Sequence, residues 1–118
     1  MKHTPARPGY VCRVLDESGE YLFFILLENI YDSSKNIKNR VCYRLSPDFC
    51  VRRDCPIESG IYAIPNNRKM ANRITWFPSS LPEHSDLQGR YRSLLETTRG
   101  KQLAANDGWK KLEFGTIS

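Results

Sequence analysis

Apolar residues in this chain come in short runs broken by turn residues, the pattern of a β-rich domain. The first run, Tyr10 to Leu15, is a strand, with Tyr10, Val11 and Val14 favouring the pleated state. Asp16-Glu17-Ser18-Gly19 follows as a turn in which Gly19 can supply a positive φ. Tyr21 to Leu27 is apolar on both faces and bounded by turn signals. A central strand and a short buried helix share that pattern; the aromatic residues and the hairpin-like turn before it select the strand. Asn29 to Asn39 is polar and reads as a loop around Asp32-Ser33-Ser34-Lys35-Asn36, pinned by Ile30, Tyr31 and Ile37. Arg40 to Leu45 alternates: Val41, Tyr43 and Leu45 point one way, and Arg40, Cys42 and Arg44 the other, which predicts a half-buried strand with a basic outer face.

Pro47-Asp48 turns the chain, and Phe49-Cys50-Val51 extends briefly before Arg52-Arg53. Gly60 to Ile64 is the next strand, closed by Pro65-Asn66-Asn67, and Arg68 to Asn72 is a basic connection. Arg73 to Phe77 is a further strand that Pro78 stops. The texture then changes. Ser80-Leu81-Pro82-Glu83 and Ser85-Asp86-Leu87-Gln88 both match the capping box, with Pro82 suited to a first helical position. Leu87, Tyr91, Leu94 and Leu95 recur at helical spacing, so Leu94 and Leu95 are expected against the sheet. Gly100 interrupts the helix, Lys101 to Ala105 adds a turn or two, and Asn106-Asp107-Gly108 stops it. Trp109 to Phe114 adds a last strand or packs Trp109 and Phe114 on the core.

The expected fold is therefore α+β: a β-rich antiparallel meander or small barrel of five to seven short strands, with one helix from the C-terminal region packed on it. Residues 1–9, with Pro5 and Pro8, read as a flexible arm, and 10–118 as one globular domain. A length of 118 residues with 40% hydrophobic and 26% charged side chains is ordinary for one domain and sets disorder aside. The longest apolar run has seven residues, where a membrane span needs about 20, and no signal-peptide pattern opens the chain. A soluble, cytoplasmic protein with no membrane partner is expected.

Four cysteines, Cys12, Cys42, Cys50 and Cys55, are spaced by 30, 8 and 5 residues with no Cys-x-x-Cys pair. Free thiols are favoured over a disulfide or a zinc site, and no metal or other cofactor is called for. Neither His3, in the arm, nor His84, at a helix start, changes this.

The net charge of +5 is unevenly spread. Residues 35–73 hold nine basic and three acidic side chains, a net +6, against −2 before them and +1 after. Phosphate-binding surfaces need charge concentrated in this way. The candidate phosphate contacts are Arg40, Arg44, Arg52, Arg53, Arg68, Lys69 and Arg73. Tyr43, Tyr62 and Trp76 lie among them in sequence, and rings that stack on unpaired bases beside guanidinium groups suit single-stranded nucleic acid or RNA. Against this, Tyr43 shares the apolar side of its strand, Trp76 also suits a core, and charged residues outside a sheet are ordinary edge protection.

No glycine-rich phosphate loop, Gly-x-Ser-x-Gly elbow or His-Glu-x-x-His helix is present. Glu83 and His84 are sequence neighbours that a helix would point apart, so they make a poor acid–base pair and no catalytic residue is assigned. The reading leans against an enzyme. It favours a small basic binding protein for nucleic acid, with a protein-interaction module (an adaptor, inhibitor or regulatory subunit) as the alternative. A small metal-independent ribonuclease of toxin type stands third, on likeness of architecture alone.

Overall fold

In a computed structural model the apolar runs become strands of an open antiparallel sheet; the structure describes residues 6–46, 57–102, 110, 111 and 113–116. β1 (Tyr10–Leu15), β2 (Tyr21–Tyr31), β3 (Ile37–Arg44) and β4 (Ile61–Pro65) follow one another as a meander. β5 (Ile74–Ser80) returns to pair with β1, and the two-residue β7 (Lys110–Lys111) pairs with β4, so the order is β5-β1-β2-β3-β4-β7. A 3-10 turn, Ile57–Gly60, leads into β4, and the short helix α1 (Arg68–Ala71) links β4 to β5. The long helix α2 is His84–Thr97; after it, β6 (Thr98–Gln102) and β8 (Glu113–Thr116) form a separate antiparallel pair. This is the expected α+β meander with one long helix on it, and the sheet stays open rather than closing into a barrel.

Two tight turns of one design set the register of the meander. Between β1 and β2, Asp16 Oδ1 accepts from the backbone N–H of Ser18 and of Glu20, both at 2.9 Å, while Gly19 takes φ +88°. Between β2 and β3, Asp32 Oδ1 accepts from the N–H of Ser34 (2.8 Å) and Asn36 (3.0 Å), and the left-handed position falls on Lys35, φ +66°. The aspartate side chain mimics a backbone acceptor in both. The polar stretch 29–39 is thus mostly strand: β2 continues to Tyr31 and β3 starts at Ile37, leaving only residues 32–36 as the turn.

Both faces of the sheet are covered. On one, Val11, Ile25, Val41, Tyr43, Ile61 and Ala63 meet Leu87 and Tyr91 of α2, with Leu94 and Leu95 partly buried beside them. On the other, Cys12, Val14, Phe24, Leu26, Cys42 and Ile64 pack with Ala6 and with Met70 of α1. Each buried large side chain contributes about 1.5–3 kcal/mol, so the two-sided burial of β2 explains why its run is apolar without alternation. β3 keeps its expected alternation, but its second face is not an outer one: Arg40 and Cys42 are buried and only Arg44 is exposed.

A bulge between Leu26 and Glu28 shifts the pairing so that Glu28 stands opposite Val41 and Asn29 opposite Arg40. Glu28 is thereby turned towards α2 and Asn29 towards the Arg40 face. The stretch 68–72 is not a plain connection: Asn67 Oδ1 accepts the Met70 N–H at 2.8 Å, an N-cap that starts α1. Pro78 does not stop β5, because β5 is an edge strand and no neighbour needs the missing N–H. Lys101 and Gln102 belong to β6, not to a second helical piece. In the segment expected to be an arm, Ala6 is buried and the Gly9 N–H donates to the Leu26 carbonyl at 2.8 Å.

Candidate functional site

The alternation of β3 places Arg40 on the face shared by Cys42 and Phe24, in the middle of the sheet between Asn29 of β2 and Ile64 of β4. The residue is only 8% exposed. Nη1 donates to Asn29 Oδ1 at 3.0 Å, and the Asn29 amide in turn donates to the Ala6 carbonyl at 3.0 Å. The guanidinium carbon lies 5.0 Å from the centre of the Trp76 ring, a cation–π distance. Among the described residues no carboxylate lies within ion-pair distance of Arg40. Burial pulls its pKa down from the usual arginine value, opposed by Cys42, Cys12 and Tyr31. A charge taken out of water without a counter-charge is costly, by several kcal/mol per ion.

Arg40 lines a groove of about 1100 Å³. The β2–β3 turn forms one wall with Tyr31 and Lys35; Asn66 and Ala71, flanking and ending α1, form another; Trp76 of β5 lies across from them. Tyr31 is 58% exposed at the mouth. Asp32 also lines the groove, with Oδ1 held by the two turn N–H groups. The groove therefore combines two cations, an open tyrosine ring and a half-buried indole.

The other candidate cations fall unevenly about it. Arg44 points from the same face of β3 and is exposed; Arg68 and Lys69 are exposed on α1, whose Met70 packs on that face. Arg73 is half-buried and its Nε donates to the Leu15 carbonyl at 2.8 Å, tying it to the end of β1. Arg52 and Arg53 lie outside the described residues. Lys35, Tyr31, Asn29 and Asn66 were not singled out as site residues. The repeat of Asp-x-Ser spacing in 16–18 and 32–34 was the available signal that 32–36 is a tight hairpin turn with Lys35 at its tip.

A second cleft, of about 500 Å³, opens between α2 and β2 and is lined by His84, Gln88, Tyr91, Arg92 and Glu28 among others. The Tyr91 hydroxyl donates to Glu28 Oε1 at 2.5 Å, and Gln88 Nε2 donates to the Leu27 carbonyl at 2.6 Å. Gln88 Nε2 also lies 3.1 Å from His84 Nε2, which then accepts its second N–H. The imidazole lone pair is occupied in that arrangement, and burial lowers the His84 pKa, so the ring is neutral at pH 7. His84 is half-buried rather than a free first-turn residue. These groups fasten helix to sheet.

Cys12 and Cys42 are buried free thiols, and burial beside Cys12 pushes the Cys42 thiol up in pKa. Cys50 and Cys55 lie outside the described residues, and among the described ones no three His, Cys, Asp or Glu side chains gather as metal ligands. No described helix is long and apolar enough to cross a membrane.

No family model matches the chain, and no solved structure matches it significantly. One curated protein does: a stretch of 78 residues, 63% of this chain, is 31% identical to part of an isoleucine–tRNA ligase of Zymomonas mobilis. The matched stretch is 8% of that protein's length.

Proposed function

We propose that this protein binds nucleic acid without catalysing a reaction, taking single-stranded or otherwise unpaired strands, RNA among them, in the groove over Arg40. One observation carries the reading: an arginine nine-tenths buried, with no carboxylate partner among the described residues, forms part of an open groove beside aromatic rings. A phosphate supplies the missing counter-charge, and its charge-assisted hydrogen bonds are roughly twice as strong as neutral ones. Tyr31 offers a ring on which an unpaired base stacks, worth about 1–3 kcal/mol per base. Arg44, Arg68 and Lys69 extend the positive field along the same side. The partial likeness to an isoleucine–tRNA ligase, a protein that acts on an RNA by its name, favours RNA as the partner; its ligase activity is not carried over with 8% of its length.

The test is fluorescence anisotropy with labelled single-stranded RNA, single-stranded DNA and duplex DNA, over a salt series of about 50 to 200 mM. Micromolar or tighter binding of the single strands, falling log-linearly with salt, is expected. Absence of binding at the lowest salt would rule the reading out and turn attention to a protein partner.

A further inference from the structure

We infer that the floor of the groove is a seat for a terminal phosphate, a phosphate monoester at the end of a strand or on a nucleotide, gripped by Arg40. This rests on the nucleic-acid reading and goes beyond it by naming which phosphate is held. Arg40 is 8% exposed, so its ligand must protrude into the groove. A phosphodiester inside a strand carries a sugar on each side and has to bring both down with it. A terminal phosphate projects from its strand on one ester bond.

Nη1 of Arg40 is held by Asn29, and among the described residues Nε and Nη2 make no hydrogen bond. Those two N–H groups form one edge of the planar fork, the edge that takes two oxygens of a phosphate in parallel. Asn29 is itself anchored to the Ala6 carbonyl and Trp76 packs on the guanidinium face, so the fork is fixed in place before a ligand arrives. A ligand then loses less in ordering the site.

A monoester carries about −1.5 to −2 at pH 7 and a diester −1. Arg40 and Lys35 are the two cations lining the groove among the described residues, while the Oδ1 of Asp32, its one carboxylate, is engaged by the turn. Those hydrogen bonds leave Asp32 its charge, so the lining is net positive by one, and the unmatched Arg40 at its floor favours the more negative monoester over the diester. Lys35 stands at the tip of the turn with φ +66°, a conformation that glycine adopts more easily, as it does at the matching Gly19. The residue that the turn chemistry would prefer there carries no charge; the one present does.

The deciding experiment uses one labelled RNA sequence in three forms: hydroxyl at both ends, phosphate at the 5′ end, and phosphate at the 3′ end. Anisotropy titrations on the full chain are expected to show one phosphorylated form binding at least tenfold tighter than the hydroxyl form. A nucleoside monophosphate of the same end should compete with it, and the matching nucleoside should not. Arg40→Gln should erase the preference, bringing the three forms within about twofold of one another. Equal affinity for all three forms would overturn the terminal-phosphate seat while leaving nucleic-acid binding standing. Failure of all three to bind would remove both. The comparison is made on the unaltered protein, so it holds even where the Arg40 variant does not fold.

Discussion

Replacing Arg40 by methionine separates what this side chain does for the fold from what it does for a ligand. The two residues have similar length, so the hole left behind is small. Three contributions change. The variant loses the bond from Nη1 to Asn29 (3.0 Å), worth about 1.5–3 kcal/mol for a charged donor, and the contact with Trp76, worth about 1 kcal/mol. It also no longer buries a charge, which relieves a penalty of several kcal/mol. These nearly cancel, so the expected change in folding free energy is within about 1.5 kcal/mol of zero. An arginine whose charge is neutralised inside the fold behaves differently, since removing one partner of a buried pair costs about 3–5 kcal/mol. Urea unfolding followed by circular dichroism reads the difference through the midpoint at constant slope. Binding should respond in the opposite sense: loss of one charge-assisted contact lowers affinity for the favoured strand by about ten- to a hundredfold. A destabilisation above about 3 kcal/mol would show that Arg40 is compensated within the protein, and the argument from an unmatched charge would fail with it.

Gly60→Ala places a methyl group 2.8 Å from Cε2 of the buried Tyr43 ring, so it should destabilise by about 1–3 kcal/mol; a change below 0.5 kcal/mol in urea would show that the ring has room to move. Leu87 is fully buried beneath α2, so Leu87→Ala should cost about 2–5 kcal/mol, and Leu94→Ala, at a partly buried position, clearly less; equal losses would refute the burial order. Burial, reinforced by the hydrogen bond to Glu28, holds the Tyr91 hydroxyl well above its usual 10.0. The unfolded chain then loses this proton first, so stability is full below pH 10 and falls above it by up to about 1.4 kcal/mol per pH unit. Tyr91→Phe should make that alkaline slope shallower, and an unchanged slope would assign it to other groups. Cys12 and Cys42 should resist iodoacetamide in the native protein and react in urea, as peptide mass mapping would show; native labelling of either would contradict their burial.

What the chain displayed to inspection was its periodicity. β1 was legible to the residue, because a short β-prone run between turn residues has few other solutions, and the helix register of Leu87 and Tyr91 followed from spacing alone. Parity along Arg40–Leu45 also held. Its meaning did not: which face of a strand is covered depends on segments far away in sequence, here Ala6 and Met70, and the rule that charged means outside fails at Arg40. The bulge at Leu26–Glu28 left no trace in composition, yet it decides that Asn29 meets Arg40 and Glu28 meets Tyr91. The groove was illegible for the same reason, since β2, β3, α1 and β5 each contribute a few residues to it and none carries a motif.

The groove follows from how unequally the two faces are roofed. The five longer strands β5-β1-β2-β3-β4 lie about 4.8 Å apart, so this part of the sheet is about 19 Å across from β5 to β4. On the Val11–Val41 face the roof is α2, fourteen residues and about 21 Å long, enough to span that width. On the opposite face the roof is α1, four residues and about 6 Å, helped by the segment around Ala6. A piece that short buries Met70 over Cys12 and Ile64 and leaves the ends of β2 and β3 uncovered. Beyond the reach of α1, Arg40, Trp76 and Tyr31 line the groove. A longer helix between β4 and β5 would bury this face as α2 buries the other, and would close the groove. The combination of a short cap, a buried cation and an open ring is thus one feature of the fold. Any ligand that fills the groove completes the cover that α1 leaves unfinished, so binding should raise the unfolding temperature as well as neutralise Arg40.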